Sequence, residues 1–154
     1  MKIREALECD AQKGSEVLRR SIAELCSEDH ASDPDAIARW NANKTPEMWV
    51  SWVNQATTSL YIAEEYGQVV GVCMMSNIGE ILLNYVSPDT RFGGISKAML
   101  GHMEAEAKAK GLACCVVEST KTAVRFYQSA GYEFDEGAEP DNLTMRKWLE
   151  RNDD

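Results

Sequence analysis

The chain has 154 residues and a formal net charge of -9. Its length suits one domain with its own hydrophobic core, and 44% hydrophobic with 27% charged residues is typical of a soluble globular protein. The acidic balance argues against nucleic acid and anionic lipid as partners, because both attract basic surfaces. We therefore expect a single domain over residues 1–154 that binds neither nucleic acid nor a membrane.

The cysteines and histidines do not form a metal-binding pattern. There are five cysteines and two histidines, no C-x-x-C spacing occurs, and neither histidine follows a cysteine pair. We therefore expect no metal, and an odd count of unpatterned thiols fits a reducing compartment. No apolar leader opens the sequence and no apolar run is long enough to span a bilayer, so the expected location is cytoplasmic.

The N-terminal third of the sequence predicts one strand followed by three helices. The strand alternates apolar and polar residues, and the first helix carries apolar residues at nearly helical spacing. Each of the two later helices begins with an N-cap residue followed by proline, at Asp33-Pro34 and Thr45-Pro46. In chain order, these elements cover residues 2–7, 10–29, 33–41 and 47–56.

From residue 59 onward, short strand-like runs dominate the sequence. Three strands precede a helix, and a strand, a further helix and two closing strands follow. The predicted ranges are 59–65, 68–76, 80–86, 95–110, 112–118, 121–130, 132–136 and 143–149. This order is neither an alternating βαβ pattern nor an all-β pattern. It predicts an α/β or α+β domain, with a mixed sheet and helices on both faces.

Two adjacent glycines, Gly93 and Gly94, lie between the strand at 80–86 and the next helix. A helix N-terminus has unpaired N–H groups and a partial positive charge, so a glycine loop in front of it can bring the backbone close to a phosphate. The spacings of a Walker loop and of the dinucleotide fingerprint are absent. Taken alone, the glycines fit equally well an ordinary turn that needs positive φ.

The residues around the glycines resemble a known family. The segment VSPDTRFGGISKAML resembles the central motif of the GNAT superfamily of acyl-CoA-dependent N-acyltransferases, roughly V-x-P-x-x-R/Q-x-x-G-x-G/A. Its matching positions are Val86, Pro88, Arg91 and Gly94, with Ser96 in place of the last small residue. A second segment resembles the family's A-x-x-F-Y-x-x-x-G-[FY] pattern. It is matched at Ala123, Phe126, Tyr127, Gly131 and Tyr132.

The resemblance implies a mostly antiparallel central sheet with splayed central strands, and acetyl-CoA as co-substrate. The residues that would hold the pyrophosphate are Arg91, Phe92, Gly93, Gly94, Ile95, Ser96 and Lys97. Backbone groups from Asn84 to Val86 would bind the pantetheine arm, and a backbone N–H at Tyr85 or Val86 would polarise the thioester carbonyl. Ser119 and Thr120 would add cofactor contacts, although many members carry asparagine at the place of Thr120.

The resemblance also suggests catalytic groups. Tyr127 matches the family's thiolate-facing tyrosine, which makes it both a cofactor contact and the expected general acid. Glu80 begins the central strand, where some members keep a catalytic glutamate, and is the expected base. Glu118 and a water chain are alternative bases. From residue type alone, Tyr127 could equally be a core aromatic and Glu80 a solvated carboxylate.

The expected function is transfer of the acetyl group of acetyl-CoA to a primary amine of an unidentified small molecule or peptide. Because dimers are common in the family, the resemblance leaves a homodimer open. The alternative is a catalytically silent acyl-CoA-binding sensor or regulatory domain. Three tryptophans, Trp40, Trp49 and Trp52, could wall an amine pocket by cation–π contact or could pack in the core. His30 could line the same pocket or could cap a helix.

Overall fold

The computed structural model describes residues 1–90 and 92–150. Within those residues, seven strands form one sheet. They are β1 (Lys2–Glu5), β2 (Thr58–Glu65), β3 (Gln68–Ser76), β4 (Glu80–Val86), β5 (Cys114–Glu118), β6 (Glu133–Phe134) and β7 (Thr144–Trp148). Every predicted strand is present, and the two closing strands are shorter than predicted.

The sheet has the order β1-β2-β3-β4-β5-β7-β6. All neighbouring strands are antiparallel except β4 and β5, which run parallel in its centre. The parallel pair is possible because a helix crosses between the two strands in the chain. The prediction of a mixed, mostly antiparallel sheet is confirmed.

Six α-helices lie in the described ranges. They are α1 (Ala11–Leu25), α2 (Ser27–His30), α3 (Pro34–Asn41), α4 (Pro46–Val53), α5 (Ile95–Ala109) and α6 (Val124–Ser129). Both proposed N-caps are confirmed, since Asp33 accepts from the Asp35 N–H at 3.1 Å and Thr45 accepts from the Met48 N–H at 3.1 Å. No described helix is long and apolar enough to cross a membrane.

The single helix predicted over residues 10–29 is wrong, because the structure divides it into α1 and α2. The buried imidazole of His30 folds back, and its Nε2 lies 2.7 Å from the carbonyl oxygen of Ile22, in the last turn of α1. That carbonyl has no intrahelical partner, and the imidazole satisfies it. The chain then turns through left-handed residues Ala31 and Ser32 into the cap of α3.

The helices pack on both faces of the sheet, as predicted. On one face, Met99 and Met103 of α5 are fully buried in a cluster that also includes Tyr127 of α6. On the other face, Leu18 of α1 and Trp49 of α4 are fully buried in a second cluster. The glycine loop joins the central strand β4 to α5, so it lies next to the centre of the sheet, where β4 and β5 are neighbours.

Candidate active site

The central strand β4 pairs with β5 only at the beginning of β4, opposite the second half of β5. The parallel register joins Glu80 to Val116 and Ile81 to Val117, and no pair follows it. Residues 82–86 of β4 therefore lack a strand partner on the β5 side, although they stay paired to β3 on the other side. Unpaired strand edges are unfavourable unless another molecule bonds to them. The expected splay is present, and it opens the sheet at its centre.

A wide cleft, which we call the outer cleft, lies over this opening and has a volume of about 410 Å³. It extends from the glycine loop and the start of α5 to α6. Its lining residues are Leu25, Asn84, Val86, Thr90, Phe92, Gly94, Ile95, Ser96, Lys97, Thr122, Ala123, Phe126 and Tyr127. One cleft thus brings together residues from both sequence motifs.

A narrower space, the inner slot, lies between the diverging strands themselves and measures about 50 Å³. Its lining residues are Ile81, Leu82, Leu83, Asn84, Tyr85, Val117, Glu118, Ser119, Thr120, Ala123 and Tyr127. Asn84, Ala123 and Tyr127 line both spaces. These three residues therefore mark the junction at which a group extending from the outer cleft meets one in the slot.

The loop before α5 turns through left-handed backbone at Phe92, with φ 68°, and at Gly94, with φ 76°. Gly94 is the N-cap of α5, and a Cβ atom added there would meet no atom within 4 Å. The first N–H groups of α5 lack intrahelical partners and can bind an anion. Gly94 therefore meets a conformational need and also leaves open space beside these donors.

The chain that leads into this loop is tied to α1. Arg20 forms two hydrogen bonds with the Asp89 carboxylate, at 2.8 and 3.1 Å, and a third at 2.9 Å with Glu24. The backbone N–H of Thr90 donates to the Ser87 carbonyl oxygen at 3.0 Å. These contacts fix residues 87–90, which precede the glycine loop, against α1.

Tyr127 is 5% exposed, and its ring packs edge-on against Phe126 and Tyr132. Tyr132 donates to Glu104 at 2.9 Å, and this carboxylate also binds Lys147 at 2.9 Å. Burial raises the pKa of Tyr127 to about 12, and the neighbouring Asn84 amide offsets part of that rise. The Tyr127 phenol therefore keeps its proton at neutral pH, at the junction of the two spaces.

The loop between β5 and α6 is held by a residue from a distant part of the chain. The Asp29 carboxylate of α2 accepts from the backbone N–H of Lys121 at 2.7 Å. It also accepts from the backbone N–H of Thr122 at 3.1 Å and from its hydroxyl at 2.6 Å. Thr122 lines the outer cleft, so this carboxylate fixes the cleft wall that leads into Tyr127.

Replacing Asp29 with alanine is expected to loosen that wall. Loss of these charge-assisted hydrogen bonds should lower the free energy of unfolding by about 1 kcal/mol, a modest value because Asp29 and its partners lie near solvent. Chemical denaturation of Asp29→Ala measures this, with Glu28→Ala as control, because exposed Glu28 makes no hydrogen bond with the described residues. Equal losses in the two variants would contradict the role given to Asp29.

The remaining residues predicted to contact the cofactor differ in whether they line the cleft or the slot. The hydroxyl of Ser119 donates to the Thr120 carbonyl at 2.7 Å, and that of Thr120 accepts from the Ala123 N–H at 3.2 Å. These local bonds shape the start of α6. Tyr85 lines the slot, and burial raises its pKa well above the ordinary value. Gly93 lies in the loop but does not line the cleft, and Arg91 lies outside the described residues.

The two carboxylates considered as bases lie in different places. Glu80 is exposed at the start of β4 and lines neither the outer cleft nor the inner slot. Glu118, also exposed, ends β5 and lines the slot. At the Glu80 position, a base would act through intervening water.

Of the three tryptophans suggested for an aromatic acceptor pocket, only Trp40 lies near the site. Trp49 and Trp52 belong to the core on the α1 side, and the Trp49 indole donates to the Leu7 carbonyl at 3.0 Å. They therefore cannot wall a pocket. Trp40 packs edge-on against His30 and lies close to the Tyr85 hydroxyl, beside the slot. His30 caps α1, and its second ring nitrogen accepts from Ser32 N–H at 2.9 Å, so both nitrogens are occupied.

Several side chains that line the outer cleft were assigned no role from the sequence. They are Leu25, Asn84, Thr90, Thr122, Ala123 and Phe126. The amide of Asn84 was detectable as the one polar side chain inside the otherwise apolar run ILLNYV. Ala123 and Phe126 were visible as positions of the second motif, although no contact was assigned to them. Leu25, Thr90 and Thr122 gave no signal, because their place at the cleft depends on how distant segments pack.

The family model described as an acetyltransferase (GNAT) domain matches residues 28–142 of this chain. The chain belongs to the GNAT acetyltransferase family. The match includes the glycine loop, both strands of the splayed pair and α6. A search of curated proteins finds no match.

Solved structures of other GNAT proteins share this fold. The PaiA N-acetyltransferase of Thermoplasma acidophilum, solved with coenzyme A, is 19% identical over 96% of this chain and 98% of its own, with a TM-score of 0.82. A GCN5-related N-acetyltransferase of Rhodopseudomonas palustris is 22% identical over 96% and 95%, with a TM-score of 0.85. A ribosomal-protein-alanine N-acetyltransferase of Brucella melitensis is 20% identical over 97% and 100%, with a TM-score of 0.68.

The cleft and slot of this GNAT domain contain the first N–H groups of α5, the edge of β4 that is not paired to β5, and the Asn84 amide. Among the described residues, no group of three or more His, Cys, Asp or Glu side chains could hold a metal ion. Polar groups that line the inner slot include the Asn84 amide, the Tyr127 phenol and the Glu118 carboxylate.

Proposed function

We propose that this GNAT protein transfers the acetyl group of acetyl-CoA directly to a primary amine. The observation that carries the proposal is the junction of the outer cleft and the inner slot, where the Tyr127 phenol and the Asn84 amide meet. A thioester that reaches this junction along one space would meet an amine that enters along the other. The two reactants would then be held in contact, which is a large part of the catalysis of a transfer reaction.

Three features of the structure fit coenzyme A. The N-terminus of α5 has free N–H groups next to the open space at Gly94, as a pyrophosphate needs. Residues 82–86 of β4 have an unpaired edge, to which the amides of a pantetheine arm can bond as an added strand would. The buried polar atoms of the Asn84 side chain have no hydrogen-bond partner among the described residues. Acetyl-CoA would supply the acetyl thioester as co-substrate.

Tyr127 is the proposed general acid. Its phenol stays protonated because burial raises its pKa to about 12, so it can donate a hydrogen bond to the sulfur that leaves and then its proton. Its ring packs edge-on against Tyr132, and the hydroxyl of Tyr132 donates a hydrogen bond to Glu104. A donor fixed in this way needs little reorganisation when negative charge develops on sulfur.

A base must remove the proton that the amine carries at neutral pH. Glu80 remains the base proposed from the family resemblance, acting through water from the start of β4. Glu118 is the alternative that the geometry favours, because it lines the slot through which the amine would arrive. Both carboxylates would also attract a cationic amine to this end of the site.

The experiment that tests this proposal is an incubation of the purified protein with acetyl-CoA and a panel of primary amines. The panel includes polyamines, aminoglycosides, amino acids and peptides with free N-termini, and mass spectrometry detects the acetylated product. Enzyme-dependent acetylation of any amine supports the proposal. Binding of acetyl-CoA without transfer to any amine class would instead indicate the sensor or regulatory alternative.

The pKa of Tyr127 leads to an expected pH profile. A phenol with a raised pKa keeps its proton until the pH approaches about 12, so the acid form is present across the whole working range. We expect kcat/KM to rise with pH as the amine is deprotonated. At pH values up to roughly 11, we expect no decline in kcat/KM. Initial rates measured from acid to alkaline pH check this. A decline of the wild-type rate near the ordinary tyrosine pKa, absent from Tyr127→Phe, would contradict it.

A further inference from the structure

Asn84 has an unusual environment for a buried amide. Both polar atoms of its side chain, Oδ1 and Nδ2, are inaccessible and have no partner at hydrogen-bonding distance and angle among the described residues, although the amide lies near enough to the Tyr127 phenol to offset part of the rise in its pKa that burial causes. Leaving such a group unsatisfied is unfavourable, and most buried amides have partners. This one lies at the junction of the outer cleft and the inner slot, beside Tyr127. The position indicates that its partners come from bound molecules.

An irregularity in β4 directs Asn84 toward this junction. Met74 of β3 pairs with Leu83 and Met75 pairs with Ile81, so Leu82 is an extra residue in β4. Because of this bulge, Ile81 packs with the α5 cluster while Leu83 packs with the α1 cluster. The next alternation turns Asn84 toward α6. Without the extra residue, Ile81 and Asn84 would face opposite sides of the sheet.

We propose that the side-chain amide of Asn84 binds both reacting groups, with Nδ2 donating to the acetyl carbonyl oxygen and Oδ1 accepting from the incoming amine. This inference rests on the proposed function. An amide offers a donor and an acceptor on one rigid plane, and a carbonyl beside an amine presents the complementary pair. A carboxylate at position 84 would repel the carbonyl oxygen, and an apolar residue would bind neither group.

The role of Asn84 is consistent with the balance of the reaction. The amine nitrogen forms a bond to the acetyl carbon while the carbon–sulfur bond breaks, and the electron pair of that bond goes to sulfur. The carboxylate base takes one proton from the ammonium group before attack, and the sulfur receives the proton of Tyr127. The second proton of the amine nitrogen, released as the amide forms, returns to the Tyr127 phenolate. The Nδ2 donor stabilises the negative charge that develops on the carbonyl oxygen. Asn84 itself gains and loses no proton.

The test measures binding and so does not need the acceptor to be known. Calorimetry gives the affinities of acetyl-CoA and CoA for the wild type, Asn84→Leu and Asn84→Asp. We expect the wild type to bind acetyl-CoA more tightly than CoA. In Asn84→Leu, we expect acetyl-CoA affinity to fall about 2- to 12-fold, the range of one hydrogen bond, while CoA affinity changes less than about twofold. Asn84→Asp should lose at least as much acetyl-CoA affinity.

A second readout separates this role from a structural one. Leucine has a similar volume and leaves no buried polar atom unsatisfied, so the melting temperature of free Asn84→Leu should equal or exceed that of the wild type. A wild type that binds acetyl-CoA and CoA equally, or an affinity ratio unchanged in both variants, would overturn the inference. If Asn84→Leu does not fold, the isosteric Asn84→Asp provides the test, through its ratio of acetyl-CoA affinity to CoA affinity. A wild type that binds neither molecule would contradict the proposed function itself.

Discussion

Replacing Tyr127 with phenylalanine is expected to lower kcat about 100-fold, the range typical of a lost general acid. The phenol lies at the junction of the outer cleft and the inner slot, and it is protonated at neutral pH. Phenylalanine keeps the ring and its edge contacts with Phe126 and Tyr132, so the fold and the affinity for CoA should be retained. Steady-state kinetics with an accepted amine, and calorimetry with CoA, measure the two quantities.

Tyr61→Phe is the matched control for this experiment. Tyr61 is also 5% exposed and belongs to the same core cluster, but it lines neither space of the active site. Its loss of a buried hydroxyl should leave kcat within about twofold of the wild type, since the hydroxyl touches no reactant in our account. The role of Tyr127 is rejected if Tyr127→Phe keeps full activity, or if both variants lose activity equally.

Replacing Gly94 with glutamate is expected to weaken CoA binding by at least about 100-fold. The new side chain would occupy the open space beside the N-terminus of α5 and place a negative charge where the pyrophosphate is proposed to bind. Binding is measured by calorimetry. The variant also adopts a strained left-handed backbone at φ 76°, so the loss of binding must be separated from strain.

Gly111→Glu provides that separation. Gly111 follows the other end of α5, has φ 78°, and likewise has nothing within 4 Å of an added Cβ. The two variants therefore carry the same strain and the same added charge at opposite ends of one helix, roughly 22 Å apart. Gly111→Glu should lose similar stability and bind CoA as the wild type does. Similar losses of CoA affinity in the two variants would show that strain or net charge, and not the site, explains the effect.

Local patterns in the sequence were sufficient for most of the fold. Each strand was recognisable from alternation or from a short apolar run, and the caps at Asp33 and Thr45 gave two helix starts. The order of elements excluded simpler fold classes. The splay of β4 and β5 came from the family resemblance, since local pattern contains no information on where two parallel strands stop pairing.

The parts that the sequence missed depend on contacts between distant or differently oriented groups. The break after α1 follows from the His30 imidazole, which bonds back to Ile22 and competes with helix continuation. The hydrogen bonds that fix the β5–α6 loop join Asp29 to residues more than ninety positions away in the sequence. Such contacts leave no periodic trace in the sequence.

The candidate site was only partly predictable for the same reason. The motifs located the glycine loop and Tyr127, but whether a carboxylate reaches the slot depends on how β4 and β5 diverge. Glu80 and Glu118 are equivalent as residue types, yet only Glu118 lines the slot. The importance of Asn84 depends on a bulge in β4 and on the absence of hydrogen-bond partners among the described residues, and neither is visible in a sequence.

The most direct test of the central claim is a calorimetric titration of the wild-type protein with acetyl-CoA, with CoA and acetyl-pantetheine titrated alongside. We expect saturable binding of acetyl-CoA at one site per chain, weaker binding of CoA, and much weaker binding of acetyl-pantetheine, which lacks the pyrophosphate. Absence of acetyl-CoA binding at high protein concentration would contradict the account. The loop at Gly93 and Gly94 would then be an ordinary turn at the start of a helix.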